Sequence, residues 1–254
     1  MNNFLITNKS NIKYLSNFSG SYGFMLITKN KKYLFTDFRY IERAKNNIKK
    51  GIIIIDSTKM WKNSDLLKEK WHKILKKHKI KLLGIEEDNL TISQFKKFRR
   101  ISRIKEWKKP LKFFKSINKI QKKREIKNKN EIQAIIKAQR INEKVLKEII
   151  KIIKKSIKIR EIDLVWKIKQ LGYEFGADDV AFDPIVAFGK HSAIPHHLPD
   201  KTYFKKGDII LIDMGMKYQG YCSDMTRTFF TKKPTKEESK VYNLVSEAQK
   251  KRPQ

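Results

Sequence analysis

The sequence predicts an α/β protein in two parts, a mixed-sheet domain followed by a helix-led α+β segment. Three observations carry this. Over residues 1–118, short apolar runs alternate with helically spaced stretches, the pattern of strands covered by helices. From Asn128 onward a long stretch keeps one apolar stripe at helical spacing. Near the C-terminal end, the apolar run IILID turns through MKYQG and returns as YCSDMTRTF, the signature of a hairpin.

In order, FLIT (4–7) reads as a strand and YLSNFSGSYG (14–23) as an apolar passage into a turn. FMLIT (24–28) and KYLFTDF (32–38) form two strands about the polar turn KNK. A helix over 39–50, a strand IIIID (52–56), a helix over 64–78, a strand over 81–87 and a helix over 92–103 follow. Residues 112–127 read as a linker helix and tether, after Pro110. In the second part, Ile132, Ile135, Ile136, Ile141, Val145, Ile149 and Ile150 define the apolar stripe of one long helix. A second helix spans 160–176 and ends at its glycines. FDPIVAFG, a turn SAIPHHLP, the hairpin and a final helix beginning at PTKEES complete the chain.

Composition bounds the function. The 254 residues are 40% hydrophobic and 11% aromatic, values of a folded chain with a core. No apolar run approaches the ~20 residues of a membrane helix, and the N-terminus lacks a signal-peptide pattern. The single cysteine, Cys222, excludes an internal disulfide and fits a reducing cytoplasm. The formal charge of +33 allows weak binding to polyanions. However, only 10 of the 59 basic residues are Arg, and the lysines are spread along the whole chain. That distribution reads as compositional bias, not as a specific nucleic-acid surface.

The chemistry concentrates in the hairpin. An even-length loop centred on Tyr218-Gln219 would place Asp213 directly opposite Asp224. Two ionised carboxylates about 4.5–5.5 Å apart at Cβ repel unless a cation lies between them. A pair of divalent ions would resolve that conflict. The alternative is a pair of exposed turn aspartates with no ion.

FDPIVAFGKHSAIPHH, GDIILIDMG and GYCSDMTRTF closely resemble the first half of the catalytic domain in the pita-bread metallopeptidases, nearest the Xaa-Pro aminopeptidase and prolidase branch. YLSNFSGSYG and LFTDFRY resemble that branch's creatinase/prolidase N-terminal domain, and REIKNKNEIQAI its inter-domain entry. The resemblance implies an N-terminal domain over 1–118, a linker over 119–130 and an incomplete pita-bread catalytic domain over 131–254. It implies that Asp213 ligates one metal and Asp224 bridges two, manganese or cobalt. His196 takes the place of the family's substrate-binding histidine, while Thr226 and Arg227 support the ligands from behind. The implied reaction is hydrolysis of an N-terminal Xaa-Pro bond by a metal-bridging hydroxide, in a homodimer. Cys222 is expected to pack within the hairpin, and His197 is left out of the site.

The family's other ligands, one His and two Glu, follow the TRT strand. Here no histidine follows Asp224, and the later carboxylates are Glu237, Glu238 and Glu247. Thr235 and Glu238 read instead as a capping box. KRPQ departs from the family pattern, which suggests a split or shifted reading frame, with strands such as IILID left at an exposed edge. The expectation is a chain silent by itself. The alternatives are a non-catalytic binding or chaperone module of the same fold, and non-specific nucleic-acid binding from the basic charge.

Overall fold

The computed structural model describes residues 3–58, 64–115, 119–155 and 158–251. It divides into two units, 1–126 and 127–254.

The first unit is a six-stranded sheet in the order β4-β3-β2-β1-β5-β6. The strands are β1 (Asn3–Ile6), β2 (Phe24–Ile27), β3 (Lys32–Thr36), β4 (Ile52–Asp56), β5 (Leu82–Ile85) and β6 (Lys112–Lys115). Its helices are α1 (Lys9–Ser16), α2 (Phe38–Asn47), α3 (Ser64–Lys77), α4 (Ile92–Ile101) and α5 (Lys119–Glu125). The sheet is mixed: β1–β2 and β2–β3 pair antiparallel, while β3–β4, β1–β5 and β5–β6 pair parallel.

Strand alternation sorts the side chains between two layers. Leu5, Phe24, Leu26, Tyr33 and Phe35 join Trp71, Leu75 and Phe98 of α3 and α4 in one core. Ile6, Met25 and Leu34, their immediate neighbours in sequence, join Ile12 of α1 and Ala44 of α2 in the other. Phe24 stacks on Phe35 with ring centroids 4.5 Å apart, and the buried Trp71 donates its Nε1–H to Ser102 Oγ at 2.9 Å.

Two expectations are corrected here. The passage expected over 14–23 begins inside a helix, α1, whose N-terminus is capped by the Asn8 side chain accepting from Asn11 N. Short and poor in apolar residues, it lacked a readable period. Residues 112–115 are a strand and not a linker helix, because β5 offers Phe113 and Phe114 an open parallel edge. Residues 116–118 of that expected helix lie outside the described residues.

The second unit opens with α6 (Lys129–Lys155) and α7 (Glu161–Glu174). Two three-stranded sheets follow, β12-β9-β8 and β11-β10-β7. Their strands are β7 (Asp179–Val180), β8 (Ile185–Phe188), β9 (Ile209–Met214), β10 (Met216–Tyr218), β11 (Tyr221–Cys222) and β12 (Met225–Phe230); α8 (Lys236–Lys250) ends the unit. The buried stripe of α6 is Ala134, Ala138, Ile141, Val145 and Ile149, whereas Ile132 is exposed. Small residues at 134 and 138 let the helix approach β10 and β11. Ile210, Ile212 and Met214 of β9 bury against this stripe and against Leu164 and Ile168 of α7. β9 is the central strand of its sheet, flanked by β8 and β12, so the IILID run is not the exposed edge expected of it. Thr235 and Glu238 do form the capping box of α8.

Candidate metal centre

The hairpin register differs from the idealised one. Tyr218 pairs with Tyr221 and Lys217 with Cys222, so the two-residue loop is Gln219-Gly220. Both loop residues have positive φ, 49° and 80°, the conformation of a type I′ turn. A loop centred on Tyr218-Gln219 would force a bulky tyrosine into that region, which glycine occupies without strain. Asp213 therefore pairs with Thr226 and not with Asp224.

The two aspartates nonetheless share a face. Buried Ser223 and Met225 alternate with exposed Asp224 and Thr226, and the Thr226 hydroxyl donates to Asp213 Oδ1 at 2.6 Å. Asp224 lies two residues before Thr226, diagonal to Asp213, a relation with Cα atoms about 7–8 Å apart in a regular ladder. A diagonal pair leaves more room for a cation between carboxylates than the directly opposed pair.

The backbone under these residues is fixed from α6. Asn142 Nδ2 donates to Met214 O at 3.0 Å, and Ser223 Oγ receives Met216 N–H at 2.9 Å. At Gly215 an added Cβ would lie 2.2 Å from Ser223 O, so only glycine lets the strands meet where β9 passes into β10. Arg227 is exposed, its guanidinium donating to Thr226 O at 2.8 Å. Cys222 is exposed, contrary to the expectation that it packs within the hairpin, because it falls on the outward side of the short β11.

His196 stands on the segment between β8 and β9 and is exposed. Its neighbour His197 is buried and its Nε2 meets Glu161 Oε2 at 2.7 Å. Glu161, fully buried at the first turn of α7, gathers the whole segment. Its Oε1 accepts Phe188 N–H at 2.8 Å and faces His191 Nδ1 at 2.9 Å, while Oε2 also accepts Asp200 N–H at 3.1 Å. Sequence reasoning missed this cluster. Glu161 lies 30 and 36 residues from its imidazole partners, and no spacing rule links a first-turn glutamate to a distant loop.

By residue type and register, Asp213 and Asp224 are compatible with acidic ligation of a divalent ion on one face of the hairpin, with the Thr226 hydroxyl on Asp213. They fit only part of a two-ion site, which needs more donors. Glu238 is committed to its cap, receiving Thr235 N–H at 2.6 Å. Among the described residues, the group with three metal-type donors is Glu161, His191 and His197.

Fold and hairpin together define an α/β protein with two aspartates beside one another on the β9–β12 hairpin. Residues 133–252 match the model of metallopeptidase family M24, and residues 1–110 match the creatinase/prolidase N-terminal domain. The prolidase from Pyrococcus horikoshii superimposes with a TM-score of 0.83 at 31% identity, covering 99% of this chain and 67% of that one. The Xaa-Pro dipeptidase from Bacillus anthracis gives a TM-score of 0.84 at 31% identity, covering 98% and 65%. An uncharacterized peptidase of Bacillus subtilis, YqhT, is 30% identical over 245 residues, 96% of this chain and 65% of the relative. The chain belongs to the M24 metallopeptidase family, with a creatinase/prolidase N-terminal domain ahead of the peptidase segment. It spans just under two-thirds of the length of the Bacillus relatives it matches.

Proposed function

We propose that this chain contributes the N-terminal domain and the aspartate half of the metal site to a peptidase that hydrolyses an N-terminal Xaa-Pro bond. The observation that carries the reading is the Asp213–Thr226–Asp224 face of the hairpin in a chain of the M24 family. Divalent ions, manganese or cobalt, would supply a Lewis acid and lower the pKa of water there. Asp213 and Asp224 would hold them, with the Thr226 hydroxyl fixing which oxygen of Asp213 faces outward. His196, exposed on its loop, is free to hydrogen-bond the substrate carbonyl. Arg227, held on Thr226 O, steadies the strand behind the pair. In this reading the chain acts as a homodimer in the cytoplasm. Donors beyond the two aspartates are required for turnover.

The test uses protein purified from its native cells. It is assayed with and without manganese or cobalt on an Xaa-Pro dipeptide, an Xaa-Pro tripeptide and matched Xaa-Ala peptides. The proposal expects metal-dependent cleavage confined to the proline substrates. Metal-independent cleavage, or equal cleavage of the alanine peptides, would refute it.

A further inference from the structure

We propose that Glu161, His191 and His197 form a second divalent-metal site, of zinc type, separate from the hairpin aspartates. None of the three lies on the hairpin. The carboxylate comes from the first turn of α7 and the imidazoles from the segment after β8.

Three features of the cluster point to a metal. The first is convergence. His191 Nδ1 and His197 Nε2 aim at the two oxygens of one carboxylate, at 2.9 and 2.7 Å, and the three donor atoms lie within 4.8 Å of one another. Two His and one Glu are the three-ligand set of open zinc sites, in which a fourth position stays with water or substrate. The His191 side chain is 16% exposed, which leaves an approach from solvent.

The second is support. Glu161 keeps one backbone donor on each oxygen, Phe188 N–H and Asp200 N–H. Those bonds would persist when a metal takes the inner lone pairs, and they are the outer contacts that orient a ligating carboxylate.

The third is charge. Glu161 is fully buried, and buried carboxylates are stable when paired with a cation or bound to a metal. The imidazole rings lie with centroids 4.3 Å apart and planes inclined at 33°. Two imidazolium charges at that separation would repel one another. One divalent ion satisfies the carboxylate through both rings at once. Ligation through His191 Nδ1 requires that ring's proton on Nε2, and ligation through His197 Nε2 requires it on Nδ1.

The site would tie His191 and His197, within the 188–200 segment that carries His196, to α7 by coordination bonds, beside the Glu161 hydrogen bonds that already hold Phe188 and Asp200. Its existence does not depend on the hairpin aspartates being metal ligands. The test therefore uses the full chain with Asp213→Asn and Asp224→Asn, which silences that pair. Metal is removed with a chelator, and zinc is titrated back against a chromophoric competitor. Ring nitrogen NMR follows the histidines. The proposal expects one equivalent of zinc, with shifts at His191 Nδ1 and His197 Nε2. It also expects affinity to fall on the order of a hundredfold in His191→Gln, the least buried ligand and the variant best able to keep the fold. Cobalt in place of zinc should give the visible bands of a tetrahedral site. Three results would overturn it: no zinc uptake by a folded chain, uptake with both ring signals unmoved, or a His191→Gln variant that binds zinc as tightly as its parent.

Discussion

Replacing Glu161 by Ala tests the arrangement of the second unit most directly. The side chain accepts two backbone N–H groups and faces two imidazole nitrogens, all within 3.1 Å. The imidazoles can turn to other partners, but the N–H groups of Phe188 and Asp200 cannot. A hydrogen bond to a charged acceptor contributes about 1.5–3 kcal/mol. Losing only the two backbone bonds thus costs about 3–6 kcal/mol, and partial relaxation with water entry favours the lower end. At 1.4 kcal/mol per tenfold, a local cost of about 3 kcal/mol corresponds to roughly hundredfold faster amide exchange. Metal-free protein is compared by hydrogen exchange and mass spectrometry over peptides spanning 185–204, with peptides of the first unit as internal controls. The expected outcome is acceleration confined to the second unit, with Glu161→Gln intermediate because one carbonyl acceptor remains. Exchange changed by less than about threefold would show that these bonds do not hold the segment, and the reasoning from burial would fail.

Other perturbations have defined outcomes. Gly215→Ala must displace the Ser223 carbonyl, 2.2 Å from the new Cβ, and should cost about 3 kcal/mol or more, read as a lowered denaturant midpoint. Ser102→Ala leaves the buried Trp71 Nε1–H without its acceptor and should cost about 1–3 kcal/mol, detected by urea unfolding followed through tryptophan fluorescence. Burial, with the Lys77 and Lys31 charges adding to it, holds the His78 imidazole below its ordinary range. Its neutral form, bonded to the Tyr33 hydroxyl at 2.7 Å, therefore contributes stability that is complete above the unfolded imidazole value and is lost as pH falls through the folded one. His78→Gln should flatten the first unit's stability over that window in urea titrations at several pH values.

The order of elements was legible in the sequence because period and punctuation are local. Strands β1 to β5 of the first unit, the long α6 and the Thr235–Glu238 cap follow from side-chain alternation, helical spacing and capping chemistry. The family resemblance was legible too, since it rests on consecutive residues around Asp213, Asp224 and Thr226. What failed were judgements that depend on a partner from elsewhere. Residues 112–115 became a strand because β5 had a free edge, and Cys222 faces outward because its hairpin closes at Gln219-Gly220.

By itself, then, the sequence determined most of the strands and helices, though not α1 or the strand at 112–115, and which residue types could bind a cation. Tertiary structure decided register and company. A shift of the turn by one residue replaced the opposed Asp213–Asp224 pair by a diagonal one, with Thr226 opposite and bonded to Asp213. The meeting of Glu161 with His191 and His197 exists only because α7 docks its first turn against the segment following β8. Backbone preference acts over a few residues, whereas a buried carboxylate takes its partners from whatever the packed chain brings within hydrogen-bond reach.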